Sequence, residues 1–575
     1  MRVKINKTKN FEQLYIIRDI YNNGNRKTVI QEKLGRINEL MDEMHMSREE
    51  VIVWAKARAD KLTSDFNKSK EKVSIDFYPH RIIDKDIVNL KNCGYLFLQS
   101  VYYQLHFKNI IRNIRNRHNF KFDLDAILSD LIYTRFISPS SKLSSFKTAK
   151  TLLEPPKYQL QDIYRALHVL AEESDYIQNQ LYRNSNFIHK RNDHILYYDC
   201  TNYYFEIEQE DGSKQYGKCK ENRPNPIIGM GLFMDADGFP LAFDLFPGNR
   251  NEQITLKPLE QKIINDFGCS KFVYCSDSGL ASKSNKVFNS TGGKAYVITQ
   301  SLKKLKKEEQ EVALNPKQYR KLGSEHFVDI SKLDESDPDV YNSIYYKEIP
   351  LGTKGIDEIL IVTYSPKYRS YQSTIRARQI ERANKMISNN EKVKKTRKNP
   401  NDPARFIKSM AVTANGEVAD KKLFYLDEDQ IAKEARFDGF YAVCTNLDDD
   451  VSTIININKR RWQIEECFRI MKTEFKARPV YLQREDCIKA HFLTCFISLL
   501  IFRIIENKLE YKYTAAEIID TIKNMNVLDT QMDGYLPAYT RTDLTDKLHE
   551  VFNFRTDYHY LSKSYIRSII KNSKK

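Results

Sequence analysis

Three acidic residues occupy positions where carboxylates could hold metal ions. Asp199 ends the apolar run HILYYD, Asp277 ends the run KFVYCSD, and Glu465 lies in the segment KRRWQIEECFRIMKTEF. Hard divalent cations such as Mg²⁺ take oxygen ligands from Asp and Glu. Two such ions about 4 Å apart can activate a water or hydroxyl and stabilise the leaving oxygen of a phosphodiester. These residue types therefore suit cleavage or transfer of a phosphodiester.

The two aspartates are more informative as a pair than singly. An acid that follows a strand is more often a capping or turn residue, and the Ser-Gly after Asp277 favours a turn. Between the two aspartates, IIGMGLFMD and PLAFDLF predict a hairpin that turns at residues 235–238, and residues 253–267 predict a helix. If the strands that end at Asp199 and Asp277 are neighbours in a sheet, the two carboxylates lie side by side.

Glu465 lies on a helix face of unusual composition. Arg461, Glu465, Phe468 and Lys472 are spaced i, i+4, i+7, i+11, which at about 100° per residue forms one narrow stripe. Glu466 lies about 100° from Glu465, so we take Glu465 as the third acid. The alternative is a surface Arg–Glu pair that stabilises the helix only weakly. The residues alone leave that alternative open.

The charge of the chain favours a polyanionic partner. It contains 92 Lys and Arg against 76 Asp and Glu, a formal net charge of +16 and a pI of about 9.1. Nucleic acid is the commonest partner of this kind, whereas a basic surface kept for solubility and an anionic membrane surface are the alternatives. Residues 367–408 contain thirteen Lys and Arg and only three acids, so much of the excess lies in one segment.

Two further groups of basic residues are candidate DNA contacts. One belongs to a segment with helical periodicity, and the other to a loop between two strands after Asp199. A helical module with a basic face suits a DNA duplex, but an ordinary solvated surface explains either group equally well. The candidates are Arg112, Arg115 and Arg117, beside Lys108, in the helical segment, and Lys218, Lys220 and Arg223 in the loop.

Hydrophobic patterning predicts an α/β chain of six regions. The strands at its centre are interrupted by a basic insertion, and the helix that carries Glu465 starts near residue 450. The predicted regions are a hairpin with its turn at Asn23-Gly24 followed by a helix (1–85), the helical region with the candidate DNA contacts (86–190), the first part of an α/β core (191–300), the insertion (301–436), the second part of the core (437–515) and a C-terminal helical region (516–575).

The remaining signals predict a cytoplasmic protein without a membrane span or a nucleotide cofactor. The nine cysteines are odd in number and include no Cys-x-x-Cys pair, which favours reduced thiols. The basic N-terminus has no apolar stretch behind it, and no Walker-type loop is present. The longest apolar run, 492–502, is shorter than the roughly 20 residues of a membrane span and predicts a core helix. We also expect Trp462 and His491 to be buried, although Trp462 could instead stack on a flipped base.

At these residues the chain resembles the DDE-type bacterial insertion-sequence transposases of the IS-four superfamily. Arg461, Glu465 and Lys472 match the signature Tyr-x2-Arg-x3-Glu-x6-Lys, but Asn458 stands where that signature has Tyr. The similarity covers most of the chain in order. It includes YDCTNYYFE at 198–206, residues 216–249, SDSG at 276–279, residues 477–502 and the opening residues 1–60.

The resemblance implies a ribonuclease H-like mixed sheet with an inserted domain and a mainly helical N-terminal DNA-binding region. It implies that Asp199, Asp277 and Glu465 hold two Mg²⁺ ions, with Mn²⁺ as a substitute, and that Arg461 and Lys472 grip phosphates at the transposon end. The implied reaction is hydrolytic nicking at the ends of the element, after which the freed 3′-OH attacks target DNA. The expected partners are double-stranded DNA and a second copy of the chain on that DNA, in a bacterial cytoplasm.

Two other functions fit the same residues. One is a catalytically inactive, sequence-specific DNA-binding protein of transposase ancestry. The other is a general metal-dependent nuclease, which would cut without preference for particular ends and would not join strands. Loss of any of the three acids would favour the inactive protein, and all three are present.

Overall fold

The computed structural model describes residues 1–8, 11–22, 25–70, 72–75, 79–80, 82, 85–352, 355–389, 401–412, 421–531 and 534–575. These residues form two compact units, Met1–Ile87 and Val88–Lys575. The predicted turn at Asn23-Gly24 lies outside the described residues, as do five bases of the basic segment, at positions 392, 394, 395, 397 and 398.

The first unit is a three-stranded antiparallel sheet with two helices. Its elements are β1 (Arg2–Lys7), β2 (Glu12–Asn22), β3 (Asn25–Arg36), α1 (Ile37–Met44) and α2 (Arg48–Lys70). Strands β2 and β3 pair antiparallel up to Asn22 and Asn25, so the predicted hairpin is present. Its small core contains Leu14, Ile37 and Val51.

The second unit begins with a short strand and six helices. These are β4 (Leu90–Asn92), α3 (Tyr95–Gln104), α4 (Phe107–Arg117), α5 (Leu124–Ile137), α6 (Lys142–Ala149), α7 (Leu160–Glu172) and α8 (Ser174–Ile188). Helix α5 is buried over almost its whole length, from Leu124 to Ile137, which shows that it lies within the core rather than on the surface.

A strand-rich segment follows these helices. It contains β5 (Ile195–Tyr204), β6 (Ile227–Asp235), β7 (Pro240–Pro247), α9 (Leu256–Lys262), β8 (Val273–Ser276), α10 (Lys283–Phe288) and β9 (Ala295–Thr299). Strand β5 pairs antiparallel with β6, β6 pairs antiparallel with β7, and β5, β8 and β9 run parallel. All nine residues of β6 are buried, as expected for a strand with both faces covered.

The segment predicted as one insertion has two parts. The first contains α11 (Lys307–Leu314), β10 (Tyr319–Lys321), β11 (Phe327–Val328), α12 (Pro338–Asn342), β12 (Tyr345–Leu351) and β13 (Glu358–Tyr364). The second contains α13 (Pro366–Ser388), β14 (Ile407–Val412), β15 (Lys421–Leu426) and α14 (Glu428–Ala435) around a small core of Ala383, Phe406 and Ile407.

Strand β16 (Phe440–Thr445) joins the first of these parts to the central sheet, because it pairs with both β13 and β9. The resulting sheet has ten strands in the order β11-β10-β12-β13-β16-β9-β8-β5-β6-β7. One large hydrophobic core contains Tyr197 and Met230 on one face of the sheet, and a second contains Leu196 and Phe233 on the other. The predicted mixed α/β class is therefore confirmed, and the large mixed sheet is consistent with a ribonuclease H-like fold.

The helix predicted to start near residue 450 is two helices, α15 (Val451–Lys459) and α16 (Trp462–Thr473). Between them the backbone uses i to i+3 hydrogen bonds, from Arg461 N to Asn458 O at 3.2 Å and from Gln463 N to Arg460 O at 3.0 Å. This tighter geometry interrupts the α-helix. It leaves Trp462 59% exposed, so the prediction of a buried Trp462 is wrong.

Helix α17 (Glu485–Lys508) is the central helix of the large core. Its length and apolar composition would suit a membrane crossing, but 94% of its most apolar stretch is buried inside the protein. The predicted core helix at 492–502 is therefore confirmed. His491 is buried as predicted, with its Nε2 3.3 Å from the Ala477 carbonyl oxygen.

The chain ends with α18 (Ala515–Asn524), β17 (Asn526–Asp529), β18 (Gly534–Pro537), α19 (Asp543–Phe552), β19 (Leu561–Ser562) and α20 (Lys563–Ser573). Strand β17 pairs with β4, so the beginning and the end of the second unit share a four-stranded sheet. The nine cysteines are all buried and free, as the sequence predicts.

Candidate active site

The register of two parallel strands aligns Asp199 with Asp277. Strands β5 and β8 pair at Ile195 with Val273 and at Tyr197 with Cys275, a constant offset that reaches Asp199 and Asp277 two residues later. Strand β8 ends at Ser276, so Asp277 is the first residue beyond it. The two strands are neighbours as expected and Asp277 directly follows β8, but β5 continues to Tyr204, so the prediction that Asp199 ends its strand is wrong.

Asp199 is a half-buried carboxylate in an environment that opposes its charge. Burial raises its pKa to about 6, and nearby Asp277 adds to the increase, whereas Lys220 and the Cys200 backbone N–H act in the opposite direction. That N–H donates to Asp199 Oδ1 over 2.7 Å. Desolvation and a like-charged neighbour both disfavour a free carboxylate, and a bound cation would reverse their effect.

Asp277 has the capping role that its sequence context suggested. Its Oδ1 accepts from the backbone N–H of Gly279, at the start of a 3₁₀ turn over Ser278–Leu280. A Cβ at position 279 would lie 2.9 Å from this oxygen, closer than real Cβ contacts allow. Gly279 therefore leaves the space in which the Asp277 carboxylate sits.

Glu465 projects from the first turn of α16, and its side chain is 57% exposed. Its Oε1 lies 3.0 Å from Arg461 Nη1, so the ion pair offered as the ordinary alternative does form. Burial opposes the charge of Arg461, but Glu465, the Tyr441 hydroxyl, Asp277 and Asp199 together raise its pKa. Arg461 is thus the cation on which the charges of all three acids act.

Lys472, at the other end of the same helix face, reaches the strand that carries Asp199. Its Nζ donates to Thr201 Oγ1 over 2.6 Å and lies 3.8 Å from Glu221 Oε1. Burial, and next the charge of Lys220, lower its pKa to about 8. Arg461, which directly precedes α16, and Glu465 and Lys472 within it therefore lie on the helix face near Asp199 and Thr201, in the middle of β5, and Phe468 between them is buried.

The loop between β5 and β6 contributes Lys220 to this cluster. The Asn202 side chain fixes the loop, because its Nδ2 donates to the Lys218 carbonyl over 3.0 Å and its Oδ1 accepts from the Lys220 backbone N–H over 3.2 Å. Lys220 Nζ donates to the Cys200 carbonyl, next to Asp199. Lys218 and Arg223 are exposed, and the Arg223 guanidinium lies 4.3 Å from the Tyr204 ring centroid.

The three arginines of α4 differ in exposure and in their contacts. Arg112 and Arg115 are exposed. Arg117 forms an ion pair with Glu173 over 2.5 Å and lies over the Tyr176 ring at 4.1 Å. Much of the charge of Arg117 is therefore already compensated within the chain, while a DNA-binding role for this helix stays a prediction.

The structure adds a polar group that sequence reasoning missed. Asn458, at the position that the sequence resemblance aligns with a tyrosine, donates from Nδ2 to the Tyr441 hydroxyl over 3.0 Å. Its Oδ1 accepts from Thr299 Oγ1 over 3.1 Å, and the Thr299 and Tyr441 hydroxyls are 2.8 Å apart. These three residues come from β9, β16 and α15. No local pattern in the sequence signals that these three elements meet.

The donor set suits hard divalent cations. Asp199, Asp277 and Glu465 offer carboxylate oxygens, the ligands that Mg²⁺ and Mn²⁺ prefer. By ligand type the three residues fit a metal centre, but among the described residues the group whose ligand atoms all lie within 4.8 Å of one another is Asp546, His549 and Asp557, not these three.

Comparison with protein-family models identifies one family. The family model described as the transposase DDE domain matches residues 191–501. A search of curated proteins gave no match. Among solved structures, the piggyBac transposase synaptic complex with hairpin DNA has a TM-score of 0.35 and 10% identity, over 84% of each chain. The Mos1 transposase paired-end complex with the left transposon end has a TM-score of 0.12 and 10% identity, over 43% of this chain and 71% of that chain.

The match to the family model covers more than half of the chain, from the end of the helical region to the middle of α17. It includes Asp199, Asp277 and Glu465. The chain therefore belongs to the transposase DDE domain family.

Proposed function

We propose that this protein is an active DNA transposase that cleaves the ends of its insertion sequence and joins them to target DNA. The observation that carries the proposal is the parallel pairing of β5 with β8, which aligns Asp199 with Asp277. The ion pair of Glu465 with Arg461 supports it, because Arg461 is also within electrostatic reach of both aspartates. The proposed group within the family, the IS-four superfamily, rests on the spacing of Arg461, Glu465 and Lys472.

In this proposal Asp199, Asp277 and Glu465 are the ligands of two Mg²⁺ ions, for which Mn²⁺ can substitute. When bound, such ions activate the attacking water or 3′-hydroxyl and stabilise the leaving oxygen. Glu465 has to exchange its contact with Arg461 for a ligand position, and its largely exposed side chain is free to rotate. The exchange leaves the Arg461 guanidinium available for a phosphate.

The basic residues around the acids then hold the DNA backbone. Arg461 offers a planar set of donors that suits two phosphate oxygens, and Lys472 and Lys220 supply point charges. Lys472 is already fixed by Thr201, and Lys220 by the Cys200 carbonyl, so both cations are positioned before DNA binds. Lys218 and Arg223 extend the basic surface from the same loop.

We further propose that Tyr441 supplies the hydroxyl that a tyrosine at position 458 would otherwise provide. Asn458 and Thr299 hold this hydroxyl, and Tyr441 is close enough to Arg461 to contribute to its raised pKa. Because the Thr299 proton goes to Asn458, the Tyr441 hydroxyl donates to Thr299 Oγ1, and in this proposal it exchanges that bond for one to a phosphate oxygen beside Arg461. The absence of tyrosine at position 458 is therefore compatible with activity.

The proposed partners are double-stranded DNA, as transposon ends and as target, and a second copy of the chain. Two ends have to be paired before they are joined, which favours a homodimer on DNA. The net charge of +16 supports a nucleic-acid partner. A bacterial cytoplasm is the compartment in which all nine thiols would stay reduced.

The test uses the purified protein and a DNA fragment that carries the ends of its own element, with Mg²⁺ or with EDTA. We expect new 3′-hydroxyls at the ends, joining of those ends to a plasmid target, and loss of both with EDTA or with Asp277→Ala. Binding without cleavage would instead support an inactive DNA-binding protein. Cutting at any sequence without joining would support a general nuclease.

A further inference from the structure

A cavity of about 300 Å³ lies beside the segment that follows α16. Four cationic side chains line it, those of Arg135, Lys142, Lys476 and Arg478, together with His491. None of the described residues that line this cavity is acidic. A concave site of this volume is at the lower end of the range for small-molecule ligands, and its charge would attract an anion.

Two of these cations are buried and have donors without partners. The exposed fraction is 1% for Arg135 and 3% for Lys142. Within the described part of the chain, Arg135 Nε and Nη2 and Lys142 Nζ have no hydrogen-bond acceptor, while Arg135 Nη1 donates to the Phe475 carbonyl over 3.3 Å. A buried cation without an acceptor is costly, so native proteins normally pair it with an anion.

The neighbouring groups do not supply the missing negative charge. Burial, and next the charge of Arg135, lower the pKa of Lys142 to about 7. Burial also lowers the pKa of His491 well below its usual value, and Arg135 and Lys142 act in the same direction, so the imidazole stays neutral. The thiols of Cys487 and Cys495 are the remaining titratable groups that act on Lys142, and burial raises the pKa of both.

The cavity is linked to the candidate active site through one carboxylate. Arg478, which lines the cavity, contacts Glu221. Glu221 Oε1 lies 3.8 Å from Lys472 Nζ, and Lys472 donates to Thr201, two residues from Asp199. Exposed aromatic rings of Tyr164 and Tyr481 also line the cavity, and such rings can stack on nucleobases.

We propose that this cavity binds the phosphate group of a nucleotide and, resting on the proposed function, that the nucleotide belongs to a DNA strand held beside the active site. The oxygens of a phosphate supply acceptors for the unpartnered N–H groups of Arg135 and for the ammonium of Lys142. Lys476 lies at the exposed side of the cavity, and the tyrosine rings offer a place for the base.

The first experiment uses inorganic phosphate and the full chain, with no DNA and no catalysis. Line broadening in ³¹P NMR gives the phosphate Kd for the wild type, for Lys142→Met and for Lys147→Met. Lys147 is an exposed lysine on the same helix, α6, and is the matched control. We expect Lys142→Met to raise the Kd by about tenfold or more, as for a lost charged hydrogen bond, and Lys147→Met to leave it unchanged.

Lys142→Met should fold, because it replaces an unpaired buried cation by an apolar side chain of similar length. Lys476→Gln, at an exposed position of the cavity, provides a second variant that does not disturb the core. It should also weaken phosphate binding, by a smaller factor. Equal phosphate Kd values for the wild type, Lys142→Met and Lys476→Gln would overturn the proposal.

The second experiment compares single-stranded oligonucleotides with a 5′-phosphate or a 5′-hydroxyl by fluorescence anisotropy. A loss of affinity in Lys142→Met for the 5′-phosphate alone assigns the cavity to a strand end, and an equal loss for both assigns it to an internal phosphodiester. Either result supports the nucleotide. If Lys142→Met loses affinity for neither oligonucleotide, the proposal of a bound nucleotide is overturned, and the cavity is a site for free phosphate only. Phosphate binding without any end cleavage would refute the proposed function and not the cavity.

Discussion

The Asn458 amide donates a hydrogen bond from Nδ2 to the Tyr441 hydroxyl over 3.0 Å. This contact joins α15 to β16 immediately before the break at Arg460 and Arg461, from which α16 and Glu465 begin. Thr299 completes the group with an oxygen 2.8 Å from the same hydroxyl. Asn458 thus holds a tyrosine from a distant strand close to Arg461.

Tyr441→Phe should reduce end cleavage by about tenfold to 100-fold, because a hydroxyl that bonds a charged phosphate contributes roughly 1.5–3 kcal/mol. Initial rates on a DNA fragment with the element's ends measure this effect. Tyr371→Phe, at an exposed position on α13, is the matched control and should cleave at the wild-type rate. Wild-type cleavage by Tyr441→Phe would show that the Tyr441 hydroxyl is structural only.

Gly279→Ala should disable cleavage without unfolding the protein. Its new Cβ would lie 2.9 Å from Asp277 Oδ1, and the short carboxylate side chain has to move away. Displacement of a catalytic group by about 1 Å costs on the order of 100-fold in rate. Gly352→Ala is the control, since no atom of the described residues lies within 4 Å of the place its new Cβ would take, and the backbone there is unstrained. Equal cleavage rates for Gly279→Ala and Gly352→Ala would show that cleavage does not depend on the position of the Asp277 carboxylate.

The loop after β5 should contact DNA phosphates. Removing two such contacts with Lys218→Gln and Arg223→Gln should flatten the slope of log K against log salt concentration by roughly 2, and weaken binding to all sequences alike. Binding titrations at several salt concentrations measure the slope. The pair Arg112→Gln and Arg115→Gln tests α4 in the same way. An unchanged slope in either double variant would remove that group from the DNA surface.

Asp130 should make the stability of the second unit depend on pH. Burial raises its pKa from 3.8 to about 7, although a hydrogen bond from Tyr158 opposes the rise. The folded state therefore retains a proton that the unfolded state releases, so stability falls as the pH rises from about 4 to about 7 and is constant above.

Asp130→Asn removes this dependence and keeps an acceptor for Tyr158. We expect it to raise the free energy of unfolding by about 2–4 kcal/mol at pH 8 and by little at pH 4. Urea unfolding at the two pH values checks the difference. Asp520→Asn, at an exposed position on α18, should change stability at neither pH. A gain for Asp130→Asn that is the same at both pH values would contradict the assigned cause.

The alignment of Asp199 with Asp277 was predictable because each residue ends an apolar run of one local α/β segment, but the continuation of β5 through Asp199 to Tyr204 was not. The helix face that carries the site residues was predictable too, since helix periodicity alone places Arg461, Glu465 and Lys472 on one face. Periodicity does not reveal a change in backbone hydrogen bonding, so the break at Arg460 and the exposure of Trp462 were missed.

Contacts between distant segments were not predictable. Tyr441 meets Thr299 because β16 pairs with β9, a register that no short-range pattern encodes. The cavity was not predictable for the same reason, because Arg135 and Lys142 are separated from Arg478 by more than 300 residues of sequence. Long-range strand pairing and helix packing decide these contacts.

End cleavage by isosteric variants tests most directly whether Asp199, Asp277 and Glu465 form one catalytic centre. The variants are Asp199→Asn, Asp277→Asn and Glu465→Gln, with Glu466→Gln as the matched control, since Glu466 pairs with Arg469 on the same helix. We predict at least a roughly 100-fold loss for each of the three, with DNA binding retained, and a near wild-type rate for Glu466→Gln. Cleavage at the wild-type rate by any of the three, or its loss in Glu466→Gln alone, would contradict the assignment.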